Sequence, residues 1–165
     1  MSDVVEEVPE KIVEYGGGER EFERDESVTG FTVKPGVTRI AAGAFLDCIY
    51  LRSLNGMIGS NVTEVDNEAF ERCESLELLE GLPCELEWIG KYAFYWSGIT
   101  SLKGLPEVEV IQEGTFGWTR ITTLEGLSRS VKSIEMWAFN NCHFLTSLTS
   151  LPDSVTTLHH EAFEG

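Results

Sequence analysis

The sequence predicts an α/β repeat: a solenoid of about five units of 22–25 residues, with parallel ladder strands joined by short helical or irregular segments. Three observations predict it. First, one phrase recurs as "RIAAGAFLDCIYLRSL", "EVDNEAFERCESLELL", "WIGKYAFYWSGITSL", "VIQEGTFGWTRITTL" and "SIEMWAFNNCHFLTSL", and its opening, "TLHHEAFEG", stands last. Second, the anchoring aromatics Phe45, Phe70, Phe94, Phe116, Phe139 and Phe163 are 25, 24, 22, 23 and 24 residues apart. Third, each follows an apolar anchor by five residues: Ile40, Val65, Ile89, Ile111, Ile134 and Leu158. A unit this small cannot bury its own apolar side, so similar units must stack and share one core column.

Residues 1–27 carry ten acids against three bases, together with Gly16, Gly17 and Gly18. They read as an acidic N-terminal segment, partly flexible, although "VVEEVPEKIVEY" has the apolar positions to pack over the first rung. Residues 28–36, "VTGFTVKPG", alternate with period two and end in a turn, which predicts a capping strand. Residues 37–165 form the solenoid. Within each unit the phenylalanines are expected to stack as the structural core. Ala44, Ala69, Ala93, Ala138 and Ala162 before them suggest a tight turn or short helical segment, with Thr115 the exception. Downstream triplets at three-residue steps, such as Leu76, Leu79, Leu82 and Ile99, Leu102, Leu105, are expected to line the parallel sheet. After "EAFEG" the pattern calls for a ladder strand, so the last unit reads as incomplete.

The pattern I-x-x-x-A-F-x-x-C-x-x-L-x-x-L, followed by L-P and V-T, resembles the BspA-type leucine-rich repeat over roughly residues 28–165. The resemblance implies a right-handed leucine-rich-repeat solenoid with a role in protein or surface binding, and it implies no chemistry. Ser97 and Thr119 stand where the pattern has Cys, and those two units are one residue shorter after the Phe.

Composition narrows the function classes. The formal net charge is −16, from 28 acids and 12 bases. Nucleic-acid binding needs clustered Lys and Arg, and an anionic membrane surface needs the same. A protein partner, and a basic one by charge complementarity, fits better. There is no apolar run long enough for direct membrane insertion. The acidic N-terminus lacks a secretory signal, which favours an intracellular protein over one with a removed leader. Adhesion at a cell surface and a fixed place as a subunit of a larger complex are the alternatives to a free-standing scaffold.

No catalytic residues and no metal or other cofactor are expected. No H-E-x-x-H, G-x-S-x-G or P-loop pattern is present. His159 and His160 are adjacent in extended chain, so they point to opposite faces and cannot easily share an ion. Cys48, Cys73, Ser97, Thr119 and Cys142 share one slot, which suits a small buried side chain bonding to backbone. A Cys48–Cys73 disulfide is the weaker alternative, and Cys84, in a loop, is the thiol expected at the surface.

Two sets of residues are candidates for partner binding. Trp96 and Trp118 share the slot two after Phe in adjacent, shortened units; Tyr92 and Trp137 share the slot two before it. Large aromatics off the core register suit binding hot spots, against the alternative that they fill space left by a shortened unit. Glu68, Glu71, Glu74, Glu77 and Glu80 would spread over one edge and the sheet face of one unit. The ladder face itself, including Ser53, Ser101, Thr123 and Ser147, reads as small and polar.

Overall fold

A computed structural model describes residues 8–165; the first seven, part of the segment expected to be partly flexible, lie outside the described residues. The phenylalanines form one continuous column. Phe45, Phe70, Phe94, Phe116, Phe139 and Phe163 stack in sequence at centroid spacings of 5.3–5.7 Å. Phe45 through Phe139 are buried, and each ring of that size stabilises the column by roughly 1.5–3 kcal/mol.

The column extends further toward the N-terminus than the repeated phrase does. Phe22 stacks on Phe45 at 5.4 Å. The sequence hides this rung because "REFERD" has Glu21 where five of the six other units have Ala. Strand β1 (Ile12–Tyr15) pairs in parallel with β2 (Gly30–Val33), the strand expected from period-two alternation. Tyr15 is buried against Phe45, and its hydroxyl accepts the Ala41 N–H at 2.7 Å.

The parallel strands of the repeats differ from the expectation. They are two-residue strands ending on the Ile/Val/Leu anchor, not on the Leu triplets: β3 (Arg39–Ile40), β4 (Glu64–Val65), β5 (Trp88–Ile89), β6 (Val110–Ile111), β7 (Ser133–Ile134) and β8 (Thr157–Leu158). They form two parallel sheets, β3-β4-β5 and β6-β7-β8, interrupted between β5 and β6. The first two residues of the Leu76 and Ile99 triplets are buried and the third, Leu82 or Leu105, is partly buried, but the triplets are not strands. Their three-residue step cannot match a strand, which returns a side chain to the same face every second residue. Single bonds link them between units, as from the Thr100 N–H to the Glu77 carbonyl at 3.1 Å.

Of the tight turn or short helical segment expected at the Ala-Phe pairs, the structure has the turn. Among the described residues the one helical element is a 3₁₀ turn, Asn55–Met57. The Ala-Phe segments are turns whose N–H groups alternate in destination. Phe45 N–H donates to the Ala69 carbonyl of the next unit at 2.9 Å, while Leu46 N–H donates back to Gly43 at 3.0 Å. A helix needs every N–H to bond within its own segment. Here every other one goes to the neighbouring rung, so the turns make a second inter-unit ladder.

That alternation forces left-handed backbone at two slots, two residues before Phe and two after it. Glu68, Tyr92, Trp137, Glu161, Asp47, Arg72, Trp96, Trp118 and Asn141 all have φ between 54° and 60°. Side chains in these slots leave the core and line one lateral edge of the solenoid.

Candidate functional site

Two rows of side chains run along this turn edge, one from each left-handed slot. The row two residues after Phe begins with charges, continues with two aromatics and ends at Asn141. Arg24 Nε lies 3.6 Å from Asp47, and Arg72 Nε lies 2.5 Å from the same carboxylate. The Arg72 guanidinium carbon is 5.5 Å from the Trp96 ring centroid, a cation–π distance. Trp96 stacks on Trp118 at 4.8 Å with planes 6° apart, and His143 meets Trp118 edge-on at 5.6 Å.

The two expected tryptophans are therefore together and exposed, at 40% and 38%. Their ring faces are occupied by each other, by Arg72 and by His143. What they offer solvent is their rims, and among the described residues neither indole N–H has a hydrogen-bond acceptor.

The row two residues before Phe is half-buried and tied down. Arg20 reaches across Gly43 to Glu68 at 3.0 Å. The Tyr92 hydroxyl donates to Glu113 at 2.6 Å, and the Trp137 indole N–H donates to Glu161 at 2.5 Å. Burial, reinforced by the Glu113 carboxylate, pushes the Tyr92 hydroxyl pKa up. The Tyr92 ring lies over Gly114, at φ +62°, where a Cβ would collide with the ring carbons. Tyr95, absent from the sequence-based candidates, lies likewise over Gly117, where a Cβ would sit 2.9 Å from its ring. The two tyrosines meet edge-to-face at 5.5 Å. Facing glycines one unit along were the signal that could have singled out Tyr95.

The five glutamates are not brought into one patch. Glu68 and Glu71 lie on the turn edge. Glu74 and Glu77 line an open groove at the corner with Tyr50, Arg52, Leu78 and Arg120. Glu80 lies 4.0 Å from Lys103 on the ladder face. Glu71 differs from the rest. It is half-buried, and burial first, then the Glu68 and Asp47 carboxylates, raise its pKa to about 6. Among the described residues its carboxylate accepts no hydrogen bond.

The remaining sequence candidates resolve into packing. Cys48 and Cys73 are buried free thiols, donating to the Phe22 and Phe45 carbonyls of the preceding rungs at 3.1 and 3.3 Å. Ser97 and Thr119, in the same slot, donate to the Phe carbonyl of their own unit at 2.7 Å. Burial pushes the Cys48 thiol up to about 12, so it stays protonated and unreactive. Cys84 is exposed, and its neighbour Glu85 raises its pKa. His159 and His160 turn to different carboxylates, Glu135 at 3.4 Å and Glu161 at 3.1 Å. On the ladder face the Ser53, Ser101, Thr123 and Ser147 hydroxyls each accept the N–H two residues on, a repeated turn that Leu78 breaks.

No helix among the described residues is long and apolar enough to cross a membrane. Residues 18–145 and 110–165 match the family model of the BspA type leucine rich repeat region, in 6 copies. No curated protein matches the chain. A crystal structure of a leucine rich cell surface protein from Faecalibacterium prausnitzii A2-165 is similar, with a TM-score of 0.53 and 25% identity over 93% of this chain. This chain spans only 36% of that one.

Proposed function

The chain belongs to the BspA-type leucine-rich-repeat family, and from that premise we propose that it is a non-enzymatic protein-interaction or scaffolding module. In this reading the solenoid is right-handed, holds about five units of 22–25 residues, and binds through its lateral turn edge. One observation carries it: the edge exposes the Trp96–Trp118 stack, in a fold whose other large aromatics are mostly buried or tied down. Tryptophan rims with free N–H donors, set on a rigid ladder, suit a protein surface. Stacked faces leave no flat platform for a small planar ligand.

A pull-down with the wild type beside Trp96→Ala/Trp118→Ala tests this. Both side chains project from the edge, so the core column survives their removal. A partner kept by the wild type and lost by the variant supports the edge. A partner kept by both moves the site to the ladder face. A second reading, adhesion at a cell surface, is favoured by the cell-surface protein that shares the fold. It predicts that the ligand is captured from extracellular material and not from lysate.

A further inference from the structure

Away from the turn edge, and resting on the interaction reading for the source of the ligand, we propose that Arg129 and Ser154 receive a carboxylate side chain, aspartate or glutamate, from a protein partner. Both lie in the loops that join each Leu triplet to the next strand. The preceding pair of rungs shows how such loops hold a carboxylate. There Glu107 accepts the Ser128 hydroxyl at 2.5 Å and the Ser130 hydroxyl, both from the next rung. Those two bonds hold its pKa below the ordinary carboxylate range. Ser128 also accepts the Ser130 N–H at 3.0 Å.

One rung on, the same arrangement lacks its acid. Counted back from the anchors Ile134 and Leu158, Ser154 stands in the slot of Ser130, and Pro152 in that of Ser128. The loop before them, residues 127–131, holds no carboxylate and presents Arg129. The Ser154 hydroxyl is shielded from solvent without a hydrogen-bond partner, the one such side-chain group among the described residues. Pro152 also takes away the hydroxyl that the Ser154 N–H would use. Arg129 is exposed and makes no ion pair among the described residues, even with Asp153. Arg129 and Ser154 line one open pocket of about 540 Å³ with Leu127, Thr149, Leu151 and Asp153.

An unpaired guanidinium and an orphaned hydroxyl in one pocket have a carboxylate as their common complement. The guanidinium offers two parallel N–H groups to it. The hydroxyl has three staggered positions; with no acceptor in the pocket it rests in a shielded one, and an arriving oxygen draws it out. The net charge of −16 opposes an anion at long range, so recognition rests on these short contacts.

The test is a titration of the full chain with Nα-acetyl-glutamate amide at fixed ionic strength, followed by amide and arginine side-chain NMR. The expected result is saturable binding with shifts centred on Ser154 and the Arg129 Nε–H. Arg129→Gln weakens it about tenfold, the scale of one charge-assisted hydrogen bond, and Ser154→Ala about threefold. Ser154→Ala keeps the melting temperature of the free protein, because its hydroxyl has no partner to lose. Arg52→Gln, which removes an equal charge from the first repeat, leaves binding unchanged. Asp153→Asn strengthens it, and Nα-acetyl-glutamine amide does not bind. The proposal is overturned if Ser154 and Arg129 stay unshifted, or if the two arginine variants act alike. It is overturned too if sodium acetate saturates the site while the glutamate probe does not, which would leave a site for small free anions. The probe needs no natural partner, so a failed titration leaves the turn-edge reading standing, and a failed turn-edge pull-down does not alter the titration.

Discussion

At the scale of the residue, the left-handed slots explain why this edge carries its chemistry. A side chain at φ near 60° cannot turn into the core, so whatever residue stands there must be tolerated at the surface. Glu71 lies in an adjoining slot, partly covered and short of partners. Its folded pKa of about 6 exceeds the ordinary 4.5. The folded protein therefore holds a proton there that the unfolded chain releases. The group's contribution is fully present below about 4.5 and is lost as pH rises through about 6. Above that the ionised carboxylate weakens the fold. Glu71→Gln is expected to melt at a higher temperature than the wild type at about pH 7.5, with the difference vanishing near pH 4. Paired melts at the two pH values check this. An unchanged or lower melting temperature at the higher pH would show that Glu71 is satisfied in solution.

At the scale of the element, the unit was legible in part. The phenylalanine and Ile/Val positions could be read because both are buried once per turn of the solenoid, which restricts them to large apolar residues. The strand could not be placed, because two residues leave almost no alternation to detect. The Leu triplets misled: regular burial suggested a sheet, but their three-residue step belongs to an irregular chain. Phe22 was missed because its flanking slots hold Glu21 and Arg20. The Trp96–Trp118 stack was legible from their shared slot, whereas the Arg72 and His143 that cover its faces were not. Thr115, the exception to the Ala pattern, gains its meaning here. The strand ladder is interrupted between β5 and β6, and the buried Thr115 hydroxyl lies 3.2 Å from the Gly90 carbonyl and 3.0 Å from that of Gln112. It bridges the junction that the strands leave open. Thr115→Val keeps the shape and removes the hydroxyl, and is expected to cost about 0.5–1.5 kcal/mol in urea unfolding. Ala93→Val, at the same slot one unit back, has no hydroxyl to lose. Any cost there would arise from overpacking alone, visible as a change that no longer tracks the junction amides in hydrogen exchange.

At the scale of the whole molecule, the core contacts of each rung are mainly with its neighbours, so stability is close to a sum of nearest-neighbour terms along one column. The rings at the centre and at the C-terminal end then have different weights. Phe94 is fully buried with a stacked ring on each side, Phe70 at 5.5 Å and Phe116 at 5.7 Å. Phe163 is half-buried and stacks on Phe139 alone. Phe94→Ala is expected to cost about 3–5 kcal/mol, and Phe163→Ala less than about 2 kcal/mol. The larger effect also falls beside the interrupted strand ladder, where coupling between the two halves of the column already lacks one set of backbone bonds. Phe94→Ala should therefore do more than lower the melting temperature. It should separate the melting of the β3–β5 rungs from that of the β6–β8 rungs. Calorimetry reads this as a van't Hoff enthalpy falling below the calorimetric one, while Phe163→Ala keeps the two equal. Equal enthalpies in the Phe94→Ala variant would mean that the turn-edge bonds across that junction, from the Tyr92, Phe94 and Trp96 N–H groups to the Glu113, Thr115 and Gly117 carbonyls, are enough to hold the column together as one cooperative body.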